Sequence, residues 1–253
     1  MNNIEKFTGK ADGYDKYRPS YPCVLYNDIL LKGGLTDKSI IADIGAGTGK
    51  FSFPFLKDGY KVYCVEPNAD MKETMDKNLS VFEGYVGLNT TAEDTTLPTG
   101  MVDCIIVAQA FHWFNRQLFQ LECRRILKPH GKVFLVWNTR DENAQSTQEL
   151  YAVNKKYCPK FKGFSGGVNL ADKNQFNDFF KKGSCTVQIY DNDVIYDSVE
   201  SFVGRSLSSS YALKSFDNDF DEYVKDLKRI YNKYANNDGF ALKHKTVAFC
   251  GEV

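Results

Sequence analysis

The sequence predicts a doubly wound α/β fold with a mainly parallel sheet, on three observations. From Ser39 to Trp137, short apolar runs alternate with helix-length amphipathic segments, the pattern of repeated strand–helix–strand units. The first of these runs ends in a glycine-rich loop, Asp43-Ile44-Gly45-Ala46-Gly47-Thr48-Gly49, and the second ends in an acidic residue, Glu66. The chain has 253 residues and is 43% hydrophobic, enough to bury a sizeable core.

Taken in order, the strands are Ile40–Ile44, Lys61–Glu66 before Pro67, and Asp103–Ala108, the most continuous apolar run. A fourth, Lys132–Trp137, follows the helix-stop signal Leu127-Lys128-Pro129-His130-Gly131. Between them, Ala69–Leu79 and Arg116–Leu127 read as helices, the latter with Leu118, Leu121, Ile126 and Leu127 near helical spacing. Beyond Arg140 the pattern loosens into a polar and aromatic stretch, Tyr151–Asn169, expected to be a loop or cap. Two β-like runs, Cys185–Tyr196 and Thr246–Glu252, flank a helical stretch from Asp197 to Tyr234 and are expected to add two strands at one sheet edge. With no internal repeat or low-complexity linker, residues 1–253 read as one domain. Its core is 36–140 and 184–253, and its cap is 1–30 with about 141–235.

Glycines after a strand let a backbone approach a ligand closely, because glycine lacks Cβ and accepts positive φ. That alone signals a nucleotide-type pocket. A dinucleotide fingerprint places its third glycine three residues after the second, where this chain has Lys50, and the extra glycine sits at Gly49. A phosphate-binding P-loop needs a glycine where Ile44 stands and a hydroxyl where Phe51 stands. Asp43 suits a ligand carrying an ammonium and a sulfonium rather than phosphates. Glu66, 21 residues beyond Gly45, has the spacing at which a carboxylate accepts from two ribose hydroxyls.

These residues resemble the first two motifs of the class I S-adenosylmethionine-dependent methyltransferases: Asp43 to Gly49, and Val65-Glu66-Pro67-Asn68. Thr91-Ala92-Glu93 with Leu97-Pro98 resembles that family's adenine-binding turn, where many members have an acidic residue in place of Thr91. Val102–Ile106 and Leu127–Lys132 resemble its fourth strand and the turn before its fifth. Within the family, Ala11–Pro22 and Ala108–Phe114 resemble the small-molecule group that includes trans-aconitate and ubiquinone/menaquinone methyltransferases.

The resemblance implies a Rossmann-like, seven-stranded sheet with an antiparallel last strand and a helical cap, and S-adenosyl-L-methionine as cofactor. The cofactor contacts it implies are Asp43, Gly45, Ala46, Gly47, Thr48, Gly49, Glu66, Pro67, Met71, Thr91, Ala92, Glu93, Ala108 and Gln109, with Tyr14, Arg18 and Tyr21 on an N-terminal arm.

Because ligands of doubly wound sheets lie beyond the carboxyl ends of the strands, Gln109 to Trp113 are expected beside the transferable methyl. Phe111 and Trp113 are candidate aromatic walls for the acceptor, or else core at a strand–helix junction. His112 is a candidate general base, or else a helix-start histidine bonded to backbone. Arg140, with Arg18 and Arg205, is a candidate clamp for an acidic acceptor, or else a surface arginine. The expectation is a small acidic or phenolic acceptor, with O-methylation favoured. Two other classes stay open: an NAD(P)-dependent oxidoreductase, and a non-catalytic S-adenosylmethionine-binding regulator.

Lys plus Arg and Asp plus Glu balance at 32 each, so the overall charge gives no drive toward nucleic acid. No run approaches the ~18 apolar residues of a membrane span, and a cytoplasmic protein, monomeric or homodimeric, is expected. The seven cysteines are scattered without a C-x-x-C pair and the three histidines are far apart, so no metal site is expected.

Overall fold

The computed structural model describes residues 20–164, 172, 174–209 and 211–253. The chain divides into two compact units. The first holds residues 20–137, 172, 174–190 and 247–253; the second holds 138–164, 191–209 and 211–246.

The first unit begins with helix α1 (Cys23–Gly33). It continues through strand β1 (Ile40–Ile44), the short helix α2 (Phe53–Lys57), β2 (Lys61–Val65), helix α3 (Ala69–Leu79) and β3 (Tyr85–Leu88). Next come β4 (Val102–Ala108), a 3-10 turn (Phe111–Trp113), helix α4 (Arg116–Ile126) and β5 (Leu127–Arg140). With β6 (Thr186–Asp191) and β9 (His244–Gly251), these strands form one seven-stranded sheet in the order β3-β2-β1-β4-β5-β9-β6. Pairs β1–β2, β1–β4, β2–β3 and β4–β5 are parallel.

β9 runs the other way. Thr186 bonds the Cys250 carbonyl and the Asn192 amide bonds the His244 carbonyl, so β6 and β9 are antiparallel. On its other side, Asp141 N–H donates to the Lys243 carbonyl and Thr246 Oγ1 donates to Asn138, which sets β5 antiparallel to β9 as well. The expected doubly wound sheet with an antiparallel last strand is the fold observed.

Alternation along the strands fills both faces. Ala42, Ile44, Ile105, Val107, Val133, Leu135, Val247 and Phe249 pack on one side. Ile41, Cys104, Ile106, Phe134, Val136, Ala248 and Cys250 pack on the other. Strands buried on both faces are what a sheet covered by crossover helices requires, and they explain the continuous apolar run at β4.

Three expectations are corrected. Helix α4 buries Phe119, Cys123 and Ile126 with Glu122, at 4-3 spacing, while Leu118 and Leu121 face solvent at 50% and 59% exposure. Apolar spacing points to the wrong face because Glu122 is a buried carboxylate, held by the Thr95 amide and hydroxyl and by Arg125. The stretch expected to be a loop from Tyr151 starts inside helix α5 (Gln145–Tyr157). The run Cys185–Tyr196 is two strands: β6 joins the large sheet, whereas β7 (Val194–Tyr196) pairs with β8 (Phe240–Leu242) in a separate two-stranded sheet.

The second unit has its own core. Leu150 and Val153 of α5, Phe202 and Val203 of helix α6 (Val199–Leu207), and Tyr223, Leu227 and Ile230 of helix α7 (Phe220–Tyr234) pack with Phe240 and Leu242. Inside it, Tyr223 donates to Asn154 at 2.8 Å, satisfying both buried polar groups. Of the expected core stretch 184–253, residues 191–246 fall in this unit. No helix among the described residues is long and apolar enough to cross a membrane.

Candidate functional site

At the carboxyl end of β1 the chain turns through three glycines in the left-handed region, Gly45 (φ 73°), Gly47 (φ 59°) and Gly49 (φ 83°). Their reasons differ. A Cβ on Gly45 would lie 2.5 Å from the Ala110 Cβ, and one on Gly49 would lie 2.4 Å from Leu79 Cδ1, so both let the loop pack against its neighbours. A Cβ on Gly47 would meet nothing within 4 Å among the described residues. Of the three, Gly47 is the glycine whose backbone borders open space. The Gly45 and Ala46 amides both donate to the Val65 carbonyl, at 2.9 and 3.0 Å, locking the loop onto the end of β2.

Glu66 follows β2 directly and is 8% exposed. Its Oε2 accepts the Gly47 amide and its Oε1 accepts the Asn68 amide, each at 2.9 Å. Its backbone is fixed too, by an amide bond to the Leu88 carbonyl and by Asn89 Nδ2 donating to its carbonyl at 2.9 Å. Burial raises the Glu66 carboxyl above its ordinary range, and the two amides pull the other way. Each oxygen keeps a second lone pair beyond those bonds.

Asp43 is fully buried at the start of the loop. Ser52 donates to its Oδ2 at 2.6 Å, while its Oδ1 is buried with no hydrogen-bond partner among the described residues. Burial pushes this carboxyl up to about 7; the Ser52 hydroxyl opposes the rise and the Glu66 charge adds to it. A buried carboxylate oxygen left unpaired is costly unless a donor or cation reaches it.

Gln109 directly follows β4 with φ 60°, a rare conformation for a non-glycine residue, and its amide bonds the Val136 carbonyl. Strain of this kind is held only where surroundings impose it. Ala108 and Gln109 are half-buried beside it.

The 3-10 turn then separates three residues expected to line an acceptor site. Phe111 is 1% exposed and sits at the centre of an aromatic cluster with Phe119, Trp137, Phe176 and Phe179, their ring centroids 4.9 to 6.2 Å away. It is a core residue and not an open wall, because its ring fills the gap between α4 and the sheet. His112 is exposed, and Trp113, 36% exposed, has its ring 4.7 Å from the His112 ring.

The other expected contacts are dispersed. Thr91 and Glu93 are half-buried and Ala92 is buried, with Glu93 accepting the Asn115 amide at the start of α4. Pro67 is half-buried; Met71 is buried on α3, whose cap Asn68 accepts its amide. Thr48 is buried and Ala46 half-buried. Tyr21 packs 4.4 Å from Phe51 and lines, with Thr48, Lys50 and Asn78, a cleft of about 560 Å³. Tyr14 and Arg18 lie outside the described residues. Arg140 belongs to the second unit, its guanidinium 4.1 Å from the Phe164 ring centroid. Sequence reasoning missed Ser52 and Asn89, whose polar contacts join positions 9 and 23 residues apart and leave no local signal.

Residues 42–135 match the model of a methyltransferase domain. An uncharacterised methyltransferase of Mycobacterium tuberculosis is 35% identical over 144 residues, 57% of this chain and 56% of the relative. A methyltransferase-like protein of Schizosaccharomyces pombe is 30% identical over 156 residues, 61% of this chain and 60% of the relative. The matches thus span little more than half the length of these curated relatives. Among solved structures, a candidate type II methyltransferase of Anaeromyxobacter dehalogenans superposes with a TM-score of 0.67 at 18% identity, over 93% of this chain and 98% of that one. A phosphoethanolamine N-methyltransferase of Haemonchus contortus, solved with phosphomonomethylethanolamine and S-adenosylhomocysteine, superposes with a TM-score of 0.56 at 15% identity, over 99% of this chain and 59% of that one. These likenesses describe the fold; the family match covers the segment that holds the glycine loop, residues 42–135. Over residues 42–135 the chain matches the methyltransferase-domain model, and its seven-stranded sheet is that of the Rossmann-like methyltransferase fold.

Proposed function

We propose that the protein transfers a methyl group from S-adenosyl-L-methionine to a small-molecule acceptor, with O-methylation of an acidic or phenolic compound favoured. The observation that carries this reading is Glu66 bonded to the Gly47 amide at the rim of the glycine loop, beside the open space over Gly47. In it, Glu66 uses its remaining lone pairs on the two ribose hydroxyls, and Gly47 admits the ligand where any side chain would stand in the way. Asp43 supplies the negative charge for the ammonium of the methionine moiety, which accounts for its buried, unpaired Oδ1.

The cofactor supplies an already activated methyl on a sulfonium, so the protein needs to orient and enclose more than to activate. Gln109 and Ala108, at the carboxyl end of β4, are the residues assigned beside the methionine moiety. Trp113, exposed on the following turn, is assigned to the acceptor, and Phe111 supports that turn from the core. An acid acceptor with a pKa of ~4 is ionised without help, whereas a phenol near ~10 needs a base, for which His112 is the candidate on this turn.

The test is incubation with methyl-labelled S-adenosylmethionine and a panel of small acids and phenols beside protein and nucleic-acid acceptors. Label in a small acid or phenol supports the reading. Label in macromolecules alone overturns it.

A further inference from the structure

The turn Thr91-Ala92-Glu93, whose sequence resembles an adenine-binding turn, lies in a stretch without helix or strand between β3 and β4. Its shape is therefore set by bonds to other segments. Before it, Asn89 Nδ2 donates to the Glu66 carbonyl at 2.9 Å, tying the turn to the residue assigned to the ribose. At its end, Glu93 Oε1 accepts the Asn115 amide at 2.8 Å.

The stretch that follows is held by one buried carboxylate on α4. Glu122 Oε1 accepts the Thr95 amide at 2.9 Å and the Thr95 hydroxyl as well. Thr95 is fully buried, and its hydroxyl oxygen accepts the Leu97 amide at 3.3 Å. Arg125 completes the frame: its Nε and Nη2 donate to the two Glu122 oxygens and its Nη1 to the Leu97 carbonyl, each at 2.7 Å. Burial works to raise the Glu122 carboxyl, but the Arg125 and Thr95 bonds outweigh it and hold the group below its ordinary range.

Between the two pinned residues stands Thr96 with φ 62°, a left-handed conformation that a β-branched residue adopts only under constraint. Glu122 and Arg125 supply that constraint, on Thr95 from one side and on Leu97 from the other. Within the turn itself, Ala92 has no polar side chain and Glu93 engages Asn115, which leaves Thr91 and the backbone to meet a base. Backbone groups cannot swing to follow a ligand as a side chain can, so their aim depends on the shape of the turn.

We propose that Glu122 is a positioning residue for base recognition: by fixing Thr95 it holds the backbone of Thr91–Glu93 in the geometry that distinguishes adenine from other bases. The inference rests on the cofactor proposed above, with its adenine at this turn. Glu122 itself touches no ligand and acts through Thr95.

The experiment measures, by calorimetry, the preference of the full chain for S-adenosylhomocysteine over S-inosylhomocysteine. In the inosine base the N1 lone pair of adenine becomes an N–H and the amino group becomes a carbonyl, so donor and acceptor exchange places on that edge. The wild-type chain is expected to prefer the adenosyl ligand about tenfold or more. Glu122→Gln, which breaks the charged pair with Arg125, and Thr95→Val, which removes the hydroxyl and keeps the bulk, are each expected to shrink that preference about threefold or more. Thr95→Ser, which keeps the hydroxyl, is expected to retain it. Cys123→Ala, at a fully buried neighbour on α4, is expected to lower the melting temperature and leave the preference unchanged. A preference unmoved in Glu122→Gln, or shrunk equally by Cys123→Ala, would overturn the inference; should Glu122→Gln fail to fold, Thr95→Val decides in its place. Equal wild-type binding of the two ligands would overturn it while leaving the methyltransferase reading standing. Binding of neither ligand would sink that reading and the inference with it.

Discussion

Glu66 Oε2 accepts the Gly47 amide at 2.9 Å, so the end of the second strand and the open glycine of the first loop are one hydrogen-bonded unit. Removing the carboxylate leaves the Gly47 and Asn68 amides unpaired and takes away the acceptor proposed for the ribose. Glu66→Ala is expected to lower S-adenosylhomocysteine affinity by about ten- to a hundredfold and to cost ~1–3 kcal/mol of stability, read by calorimetry and denaturant melts. Unchanged affinity would remove Glu66 from the site.

Gly45 and Gly47 separate packing from ligand access. Gly45→Ala forces a methyl against Ala110 and adds φ strain, so it is expected to destabilise the fold by ~2–4 kcal/mol. Gly47→Ala meets no neighbour among the described residues and carries φ strain, about 1–2 kcal/mol, yet its methyl enters the proposed ligand space. Cofactor affinity should therefore fall sharply in Gly47→Ala at a small stability cost. The reverse ranking of the two melting temperatures would contradict the assignment.

Asp43 gives the protein a pH signature. Its carboxyl is raised to about 7 from an unfolded value near 3.8, so folding takes up a proton between these values. The group's contribution to stability is fully present below pH 3.8, declines as pH rises, and is lost above pH 7, a change of roughly 4 kcal/mol at full linkage. Asp43→Asn abolishes that slope, so the difference between wild type and variant should track pH across this window. In the cofactor complex the carboxylate faces an ammonium, so S-adenosylhomocysteine affinity should drop as pH falls below 7 in the wild type and stay flat in the variant.

Phe111 and Trp113 are neighbours in sequence with opposite fates. Phe111→Ala opens a cavity among Trp137, Phe176 and Phe179 and is expected to cost ~3–5 kcal/mol in chemical denaturation. Trp113→Ala, at an exposed position, should cost below ~1 kcal/mol and act on acceptor turnover. A stability loss of similar size in both would remove the distinction.

The parts of the molecule legible in sequence are those whose reasons are local. β1, β2 and β4 are written as apolar runs, the glycine loop as three glycines after a strand, and Glu66 by its distance from Gly45. What escaped depends on partners distant in the chain. The burial of Glu122 needs Thr95 and Arg125 together, so α4 was assigned the wrong inward face. Ser52 meets Asp43 only after the loop has turned. Beyond Arg140, short strands that pair with partners some 45 residues later, β7 with β8, have no periodicity of their own to announce them. Phe111, read as either wall or core, is settled by four rings drawn from three other segments, α4, β5 and residues 174–181.

The central claim is that the loop and Glu66 hold S-adenosylmethionine and not a dinucleotide. Isothermal titration of the full chain with S-adenosylhomocysteine and, separately, with NAD tests it directly. One-to-one binding of S-adenosylhomocysteine with no heat from NAD is the predicted result; binding of NAD, or of neither ligand, would contradict it.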